Sequence, residues 1–149
     1  MRADRNQPVR PADIRHATCV AIFGHGCLIV GASGSGKSSL ALSLMAQGAM
    51  LVSDDRVVLR RKQTVVVASA PSELSGLIEA RGIGLLRCDP SGAVPVRVVV
   101  DMDTVETARY PDIRTIDLLG LQIPLLRRVD SFHFAPALLQ YLKSGRHEE

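Results

Sequence analysis

The chain has 149 residues, of which 46% are hydrophobic, 22% are charged and 3% are aromatic, and its formal net charge is +3. A chain of this length and composition is expected to form one soluble globular domain with an aliphatic core. The few aromatic rings and the scattered basic residues argue against a nucleic-acid-binding protein, and the lack of a long apolar stretch argues against a membrane protein, so we expect a cytoplasmic protein.

The first part of the chain predicts a strand, a tight turn and a second strand. Residues 1–13 are polar and rich in proline, which predicts a flexible segment before a domain that spans residues 14–145. Residues 17–22 and 27–30 are apolar runs typical of strands, and the glycines of segment 23–26 predict a turn between them. The second run is entirely apolar, so we expect it to lie centrally in a sheet.

The rest of the chain mixes helical and strand patterns. Apolar residues at helical spacing predict a helix over 38–47, and Gly48 is placed to end it. Further strands are predicted at 50–53, 57–60, 64–68 and 94–101, a glycine-punctuated strand or loop at 82–86, a helical turn at 71–77 and a closing helix at 135–143, and residues 115–126 form another apolar run. This order indicates an α/β fold.

Three cysteines are present, namely Cys19, Cys27 and Cys88. Their number is odd and no pair has CxxC spacing, so the sequence indicates neither a disulfide framework nor a zinc site. Cys19 and Cys27 lie within apolar runs, and we expect both to be buried thiols.

The segment 31–38 matches the pattern GxxxxGK[ST] of a phosphate-binding P-loop. It directly follows an apolar strand and directly precedes a helical pattern, which is the context that the motif requires. We expect Lys37 to reach the β- and γ-phosphates of ATP and the Ser38 hydroxyl to bind Mg²⁺. The predicted nucleotide-binding residues are Gly31, Ala32, Ser33, Gly34, Ser35, Gly36, Lys37 and Ser38.

Two adjacent carboxylates, Asp54 and Asp55, end the strand that follows the predicted P-loop helix. Ligands of open α/β sheets bind at the carboxyl ends of the strands, so both side chains are expected beside the phosphates. One could orient the metal and its water, while the other accepts a proton from an incoming hydroxyl. A solvent-exposed turn is the alternative.

Three further polar residues are weaker candidates when taken alone. Glu79 could complete the Mg²⁺ ligands, and Arg81 could neutralise charge on the transferred group. A Glu/Arg pair beside glycines is also common in surface loops. His16 lies just before the first predicted strand, where a single histidine is more often structural or solvated than catalytic.

These pieces together resemble the bacterial HPr kinase/phosphorylase family, in its C-terminal catalytic domain, over roughly residues 14–120. That family has a His before the first strand, a P-loop of the form GxSGxGKS, a strand ending in LVxDD and an ExRGxG signature. Here these motifs are His16 and the segments 31–38, 51–55 and 79–84. The order and approximate spacing agree, and LVxDD together with ExRGxG is specific among P-loop proteins.

The resemblance implies a P-loop-containing kinase domain with a central mixed or parallel sheet, flanking helices and additional hairpin strands. It implies that Lys37 holds the transferring phosphate and that Ser38 and Glu79 serve Mg²⁺. Asp55, supported by Asp54, would accept the proton of a serine hydroxyl, and would donate a proton in the reverse, phosphate-driven dephosphorylation.

The resemblance also adds two residues to the expected active site. His16 becomes a further active-site residue, which its position alone does not indicate. The family uses an arginine between the ExRGxG segment and the C-terminus, and Arg109 is its best match here.

The substrate and assembly follow from the same resemblance, which implies an HPr-type phosphocarrier of the phosphotransferase system as partner and a homo-oligomer, hexameric in the family. The chain is similar to short proteobacterial forms that lack the N-terminal domain. Segment 123–130 keeps Ile-Pro and arginine of the family's PVRPGRN segment but has neither its glycine nor its asparagine, which leaves phosphorylase activity and the hexamer open. A small-molecule kinase or NTPase and a non-catalytic nucleotide-binding regulator remain alternatives.

Overall fold

Ten strands and two helices make up residues 13–148, the part of the chain that the computed structural model describes. The strands are β1 (Asp13–Ile22), β2 (His25–Val30), β3 (Met50–Ser53), β4 (Arg56–Lys62), β5 (Val65–Ser69), β6 (Leu77–Ala80), β7 (Gly84–Arg87), β8 (Val94–Val105), β9 (Arg114–Leu118) and β10 (Leu121–Arg128). The helices are α1 (Lys37–Met45) and α2 (Phe134–Ser144), and a 3₁₀ turn covers Ser72–Leu74. The predicted flexible segment lies, except for Asp13, outside the described residues.

Two long strands, β1 and β8, organise the main sheet. β1 pairs antiparallel with β2, β3 and β4, while β8 pairs parallel with β2 and β10 and antiparallel with β5. Because β4 also pairs with β5, the strands β2, β1, β4, β5 and β8 form a closed ring. The predicted α/β fold with a mixed sheet is therefore confirmed, and β2 lies between two strands as expected from its apolar sequence.

Alternation along these strands separates two apolar cores. On β1, Ala17 and Cys19 belong to the core on the inner face of the ring, whereas Val20 points to the opposite face. The same switch occurs on β8 between Val99 and its neighbours Val98 and Val100. Both faces of these strands are thus buried, as the period of two in side-chain direction allows.

The two helices cover the outer face of the ring. α1 packs against β1 and α2, and the side chains of Leu40, Leu44 and Leu138 are almost completely buried in the core that they share with the sheet. No helix in residues 13–148 has both the length and the apolar character needed to span a membrane.

Several predicted elements have different bounds in the structure. The apolar run 115–126 is a hairpin, because Leu119 and Gly120 adopt positive φ angles of 52° and 87° and reverse the chain between β9 and β10. The helical turn predicted over 71–77 is limited to the 3₁₀ turn, and β6 begins at Leu77. The glycine-punctuated segment predicted as strand or loop is β7, which pairs with β6.

Candidate active site

A polar cavity of about 520 Å³ lies between the P-loop, β1, the β3–β4 turn and the β6–β7 hairpin. Ten of the predicted site residues contribute to its walls, and they come from four separate parts of the chain. They are His16, Ser33, Gly34, Gly36, Lys37, Ser38, Asp54, Asp55, Glu79 and Arg81.

The P-loop connects β2 to α1, and two of its glycines are required by geometry. Gly36 adopts φ 102° immediately before α1 begins at Lys37, a conformation that glycine tolerates and side-chain-bearing residues disfavour. Gly31 adopts φ 148°, and a Cβ atom there would lie 2.6 Å from Ser35 Oγ. The loop thus leads directly into the amino end of a helix, where free backbone N–H groups attract anions.

Lys37 lies under this loop and is only 7% exposed. Its ammonium group donates hydrogen bonds to the carbonyl oxygens of Gly31 (2.8 Å) and Ala32 (2.9 Å). An ammonium group has three N–H donors, so one remains for a phosphate oxygen. Ser35 Oγ, by contrast, is buried without a hydrogen-bond partner among the described residues.

Asp54 is buried and connects three elements of the site. Its Oδ1 atom accepts hydrogen bonds from Thr18 Oγ1 on β1 and from Ser38 Oγ on α1, both at 2.8 Å. Its Oδ2 atom accepts a hydrogen bond from the backbone N–H of Glu79 at 3.0 Å. Three donors hold the carboxylate in one orientation beside the P-loop serine.

The oxygen groups around Ser38 suit a magnesium ion. A hydroxyl and a carboxylate in direct contact, with the Glu79 side chain on the same cavity wall, are hard ligands of the kind that Mg²⁺ selects. No group of three or more His, Cys, Asp or Glu residues that could hold a metal occurs in residues 13–148. The Ser38 hydroxyl and the nearby carboxylates fit Mg²⁺, which is usually bound by one or two protein ligands together with substrate phosphates and water.

Asp55 is in a different environment from its neighbour. Its φ angle is 72°, its side chain is 64% exposed, and its Oδ1 atom lies 3.1 Å from His16 Nε2. The backbone brings the two together, because the Ala17 N–H donates to the Asp55 carbonyl and His16 pairs with Arg56 in the β1–β4 ladder. His16 therefore lies within β1, not before it.

Arg81 occupies the turn of the β6–β7 hairpin, which Gly82 at φ 87° allows to be tight. Leu85 on β7 joins Arg81 on the wall of the cavity and is 65% exposed, and Ile83 at the hairpin tip is 79% exposed. The hairpin thus places one cation and two apolar side chains at or near the mouth of the site.

Arg109 is not brought to this cavity. It lies in the segment after β8, stacks on the Tyr110 ring at 5.4 Å and lines a different cavity. The segment is held there by Glu106, whose N–H donates to the Arg128 carbonyl and whose Oε1 accepts a 2.6 Å hydrogen bond from Arg114. Hydrogen bonds from the backbone N–H of Ala108, from the Arg114 guanidinium and from the backbone N–H of Thr107 lower the pKa of Glu106. Within the described residues Arg109 therefore lies outside the P-loop cavity, and its assignment to the active site stays a prediction.

Two residues of the site were missed from the sequence. Thr18 shares a face of β1 with His16, and this spacing of two was a usable signal for a side chain pointing at the same cavity. Asp103 accepts a 3.0 Å hydrogen bond from the Ala32 N–H at the start of the P-loop. Nothing in the sequence indicates that contact, because it depends on the parallel pairing of β2 with β8.

The cysteines have no role in this site. Cys19 and Cys27 are fully buried free thiols, as expected. Burial raises the pKa of Cys27 to about 12, and burial together with the neighbouring Cys27 raises the pKa of Cys19. Both are therefore protonated and unreactive near neutral pH.

A phosphate-binding loop between a strand and a helix, facing two aspartates with unlike surroundings, defines a P-loop domain of the class that binds nucleotides. Comparison with known proteins identifies the family within this class. Residues 8–107 match the family model for the HPr Serine kinase C-terminal domain. The chain belongs to this family.

Individual relatives agree with this assignment. The chain is 37% identical over 134 residues to the HPr kinase/phosphorylase of Levilactobacillus brevis and 34% identical over 129 residues to that of Caldicellulosiruptor bescii, matches that cover 88% and 78% of this chain. It spans 42% of the length of each of these relatives. The structure of the Hpr(Ser) kinase/phosphatase from Coxiella burnetii matches with a TM-score of 0.71 and 26% identity, covering 88% of this chain and 93% of that one.

Proposed function

We propose that this protein is an ATP-dependent protein-serine kinase that phosphorylates a serine of HPr or of a related phosphocarrier of the phosphotransferase system. The proposal rests on family membership and on one structural observation, the unlike surroundings of Asp54 and Asp55. Asp54 is buried and accepts three hydrogen bonds, one of them from Ser38. Asp55 is largely exposed and contacts His16 alone among the described side chains.

These different surroundings favour different roles for the two carboxylates. Both oxygens of Asp54 already accept hydrogen bonds, so we assign Asp54 to the metal side of the site and not to proton abstraction. Asp55 has an oxygen free for a substrate hydroxyl while His16 orients the other, which is the arrangement that a general base requires. In the kinase direction the serine oxygen forms a bond to the γ-phosphorus, the bond from this phosphorus to the β–γ bridging oxygen breaks, and Asp55 takes the serine proton.

The nucleotide would be bound by the P-loop. Its backbone N–H groups and the remaining N–H of Lys37 would hold the phosphates, and Arg81 would offset charge that develops on the transferred group. Ser38, hydrogen-bonded to Asp54, would together with Glu79 hold Mg²⁺, which when bound neutralises phosphate charge.

A protein substrate is consistent with the open mouth of the cavity. A serine on a folded protein can approach only where no segment closes over the site, and the β6–β7 hairpin offers exposed Ile83 and Leu85 beside the catalytic groups. We place the reaction in the cytoplasm and expect a homo-oligomer. Phosphate-dependent dephosphorylation is the reverse reaction that the same residues could support, with Asp55 as the acid.

The experiment is to incubate the protein with ATP, Mg²⁺ and purified HPr-type proteins and to locate phosphoserine by mass spectrometry. Addition of inorganic phosphate afterwards tests the reverse reaction. Parallel incubation with a mixture of small metabolites tests the alternative of a small-molecule kinase. ATP binding without transfer to any carrier would contradict the proposal and favour a nucleotide-binding regulator.

A further inference from the structure

A second cavity lies on the other side of α2 from the proposed catalytic chemistry, between β10, α2 and the segment that follows β8. Its volume is about 340 Å³, and it shares no lining residue with the P-loop cavity. This volume is within the range of about 300–1,000 Å³ typical of small-molecule sites.

The floor of this cavity is apolar. It is formed by Leu126 and Val129 on the sheet side and by Phe134 and Leu138 on the first turns of α2. Tyr110 stands at the rim with 81% of its surface exposed. An aromatic ring left in water beside an apolar floor is the kind of surface that a ligand with an apolar body would cover.

The rim carries an excess of positive charge. Two of the arginines at the rim already have carboxylate partners, because Arg114 contacts Glu106 at 2.6 Å and Arg146 contacts Glu148 at 2.7 Å. Arg127, which is half-buried at the edge of the floor, has no carboxylate within ion-pair distance in residues 13–148. A half-buried guanidinium beside an apolar surface favours an anionic group over water.

We propose that this cavity binds a small amphipathic anion, with an apolar body on the floor and a carboxylate at Arg127. Apolar burial supplies affinity, and the guanidinium supplies the preference for a negative head group. The ligand would be recognised at a site that shares no lining residue with the P-loop cavity. The proposal does not depend on the proposed kinase activity.

Octanoate is the test probe, and two matched compounds separate its two features. Acetate has the carboxylate without the apolar body, and 1-octanol has the apolar body without the charge. Titration followed by two-dimensional NMR of the ¹⁵N-labelled chain is expected to give saturable one-to-one binding of octanoate, with shifts confined to the segment after β8, β10 and α2. Acetate and 1-octanol are expected to bind at least about tenfold more weakly.

Substitutions in and outside the cavity test where octanoate binds. Arg127→Gln is expected to weaken octanoate binding about three- to tenfold, the effect of one partly exposed charged contact. Arg60→Gln, which removes an equal charge from an exposed position on β4, should leave the affinity unchanged. Ala137→Trp fills the cavity from α2 and should abolish binding; if that variant does not fold, Arg127→Gln against Arg60→Gln decides the question.

Three results would overturn the proposal. They are the absence of saturable binding, shifts centred on the P-loop, and equal affinities in the Arg127 and Arg60 variants. Sedimentation at increasing protein concentration tests a different occupant: if octanoate affinity falls as the chain self-associates, a second copy covers the cavity and the small-ligand proposal is wrong.

Discussion

His16 Nε2 lies 3.1 Å from Asp55 Oδ1, and this contact joins the first strand of the domain to the turn between β3 and β4. It occurs at a residue whose backbone is in the left-handed region, with φ 72° for Asp55. A non-glycine residue held there is energetically unfavourable by about 1–3 kcal/mol and is found most often where function requires a fixed side chain. The contact and the backbone together fix the direction of the Asp55 carboxylate.

Replacing Asp55 with Asn tests its proposed role as the general base. Asparagine tolerates positive φ as aspartate does, so the backbone should be preserved while the proton acceptor is lost. We expect transfer from ATP to the carrier serine to fall about 10²- to 10⁴-fold, with ATP affinity nearly unchanged. The measurements are phosphotransfer rate and calorimetric binding of ATP with Mg²⁺.

The control for this variant is Asp89→Asn, which removes a carboxylate from an exposed position outside the cavity. It should transfer phosphate at the rate of the unmodified protein. A D55N protein that kept its transfer rate would show that another group accepts the proton.

His16 is expected to act through Asp55 and not on the substrate itself. His16→Ala should lower kcat about three- to tenfold, the effect of losing one orienting hydrogen bond, while KM for ATP stays the same. His16→Gln can still donate an N–H to the carboxylate, so it should recover much of the loss. An equal loss in both variants would indicate that the imidazole has a role of its own in catalysis.

The main features of the site were predictable because they are encoded locally. The P-loop motif, its flanking strand and helix, and the Asp pair at a strand end all lie within 31 consecutive residues, 25–55. His16 and Glu79 were only weak candidates until the resemblance to a family was considered, because the β1–β4 pairing and the Glu79 N–H to Asp54 hydrogen bond that bring them to the cavity join residues far apart in sequence. Single-sequence patterns report local periodicity and do not report such pairing.

The remaining errors have physical reasons. The strand predicted over 94–101 stops short of the end of β8 because the polar Asp101 and Asp103 interrupt the apolar pattern, whereas the strand continues to Val105. The turn between β9 and β10 depends on the positive φ of Leu119, an uncommon conformation for a leucine. The role of Arg109, assigned by loose alignment, stays a prediction; its position outside the P-loop cavity depends on the Glu106–Arg114 contact, a tertiary feature that the sequence does not report.

Thr18 is expected to stabilise both the fold and the metal side of the site. Thr18→Val removes one donor to the buried Asp54 carboxylate, which should lower the free energy of unfolding by about 1–3 kcal/mol and the Mg²⁺-dependent transfer rate about three- to tenfold. Thr18→Ser keeps the hydroxyl but loses a methyl group worth about 0.8 kcal/mol. The serine variant should therefore recover the rate while remaining slightly less stable, as urea denaturation and kinetics can show. If Thr18→Ser transferred phosphate as slowly as Thr18→Val, loss of the hydroxyl group would not explain the lower rate.

The P-loop depends on the absence of a side chain at Gly31. Gly31→Ala combines a positive φ of 148° with a Cβ atom 2.6 Å from Ser35 Oγ, so the loop must deform. We expect ATP affinity to fall at least about tenfold, because the backbone N–H groups must converge on the phosphates. Gly24→Ala is the matched control: it has φ 77°, no neighbouring atom within 4 Å, and a position in the β1–β2 turn away from the cavity. It should lose stability without losing ATP affinity, and similar affinities for the two variants would contradict the prediction.

Asp103 is expected to hold the P-loop in position from the neighbouring parallel strand. Its Oδ1 atom accepts the Ala32 N–H at 3.0 Å, while its own N–H donates to Asp101 Oδ1 at 2.8 Å. Asp103→Ala leaves the Ala32 N–H without its partner, and a lost hydrogen bond of about 0.5–1.5 kcal/mol predicts a rise in the Kd for ATP of about three- to tenfold. Asp103→Asn retains an oxygen acceptor and should bind ATP within about twofold of the unmodified chain. If asparagine weakened binding as much as alanine, the negative charge of Asp103 would matter and its contact with the Ala32 amide would not explain its role.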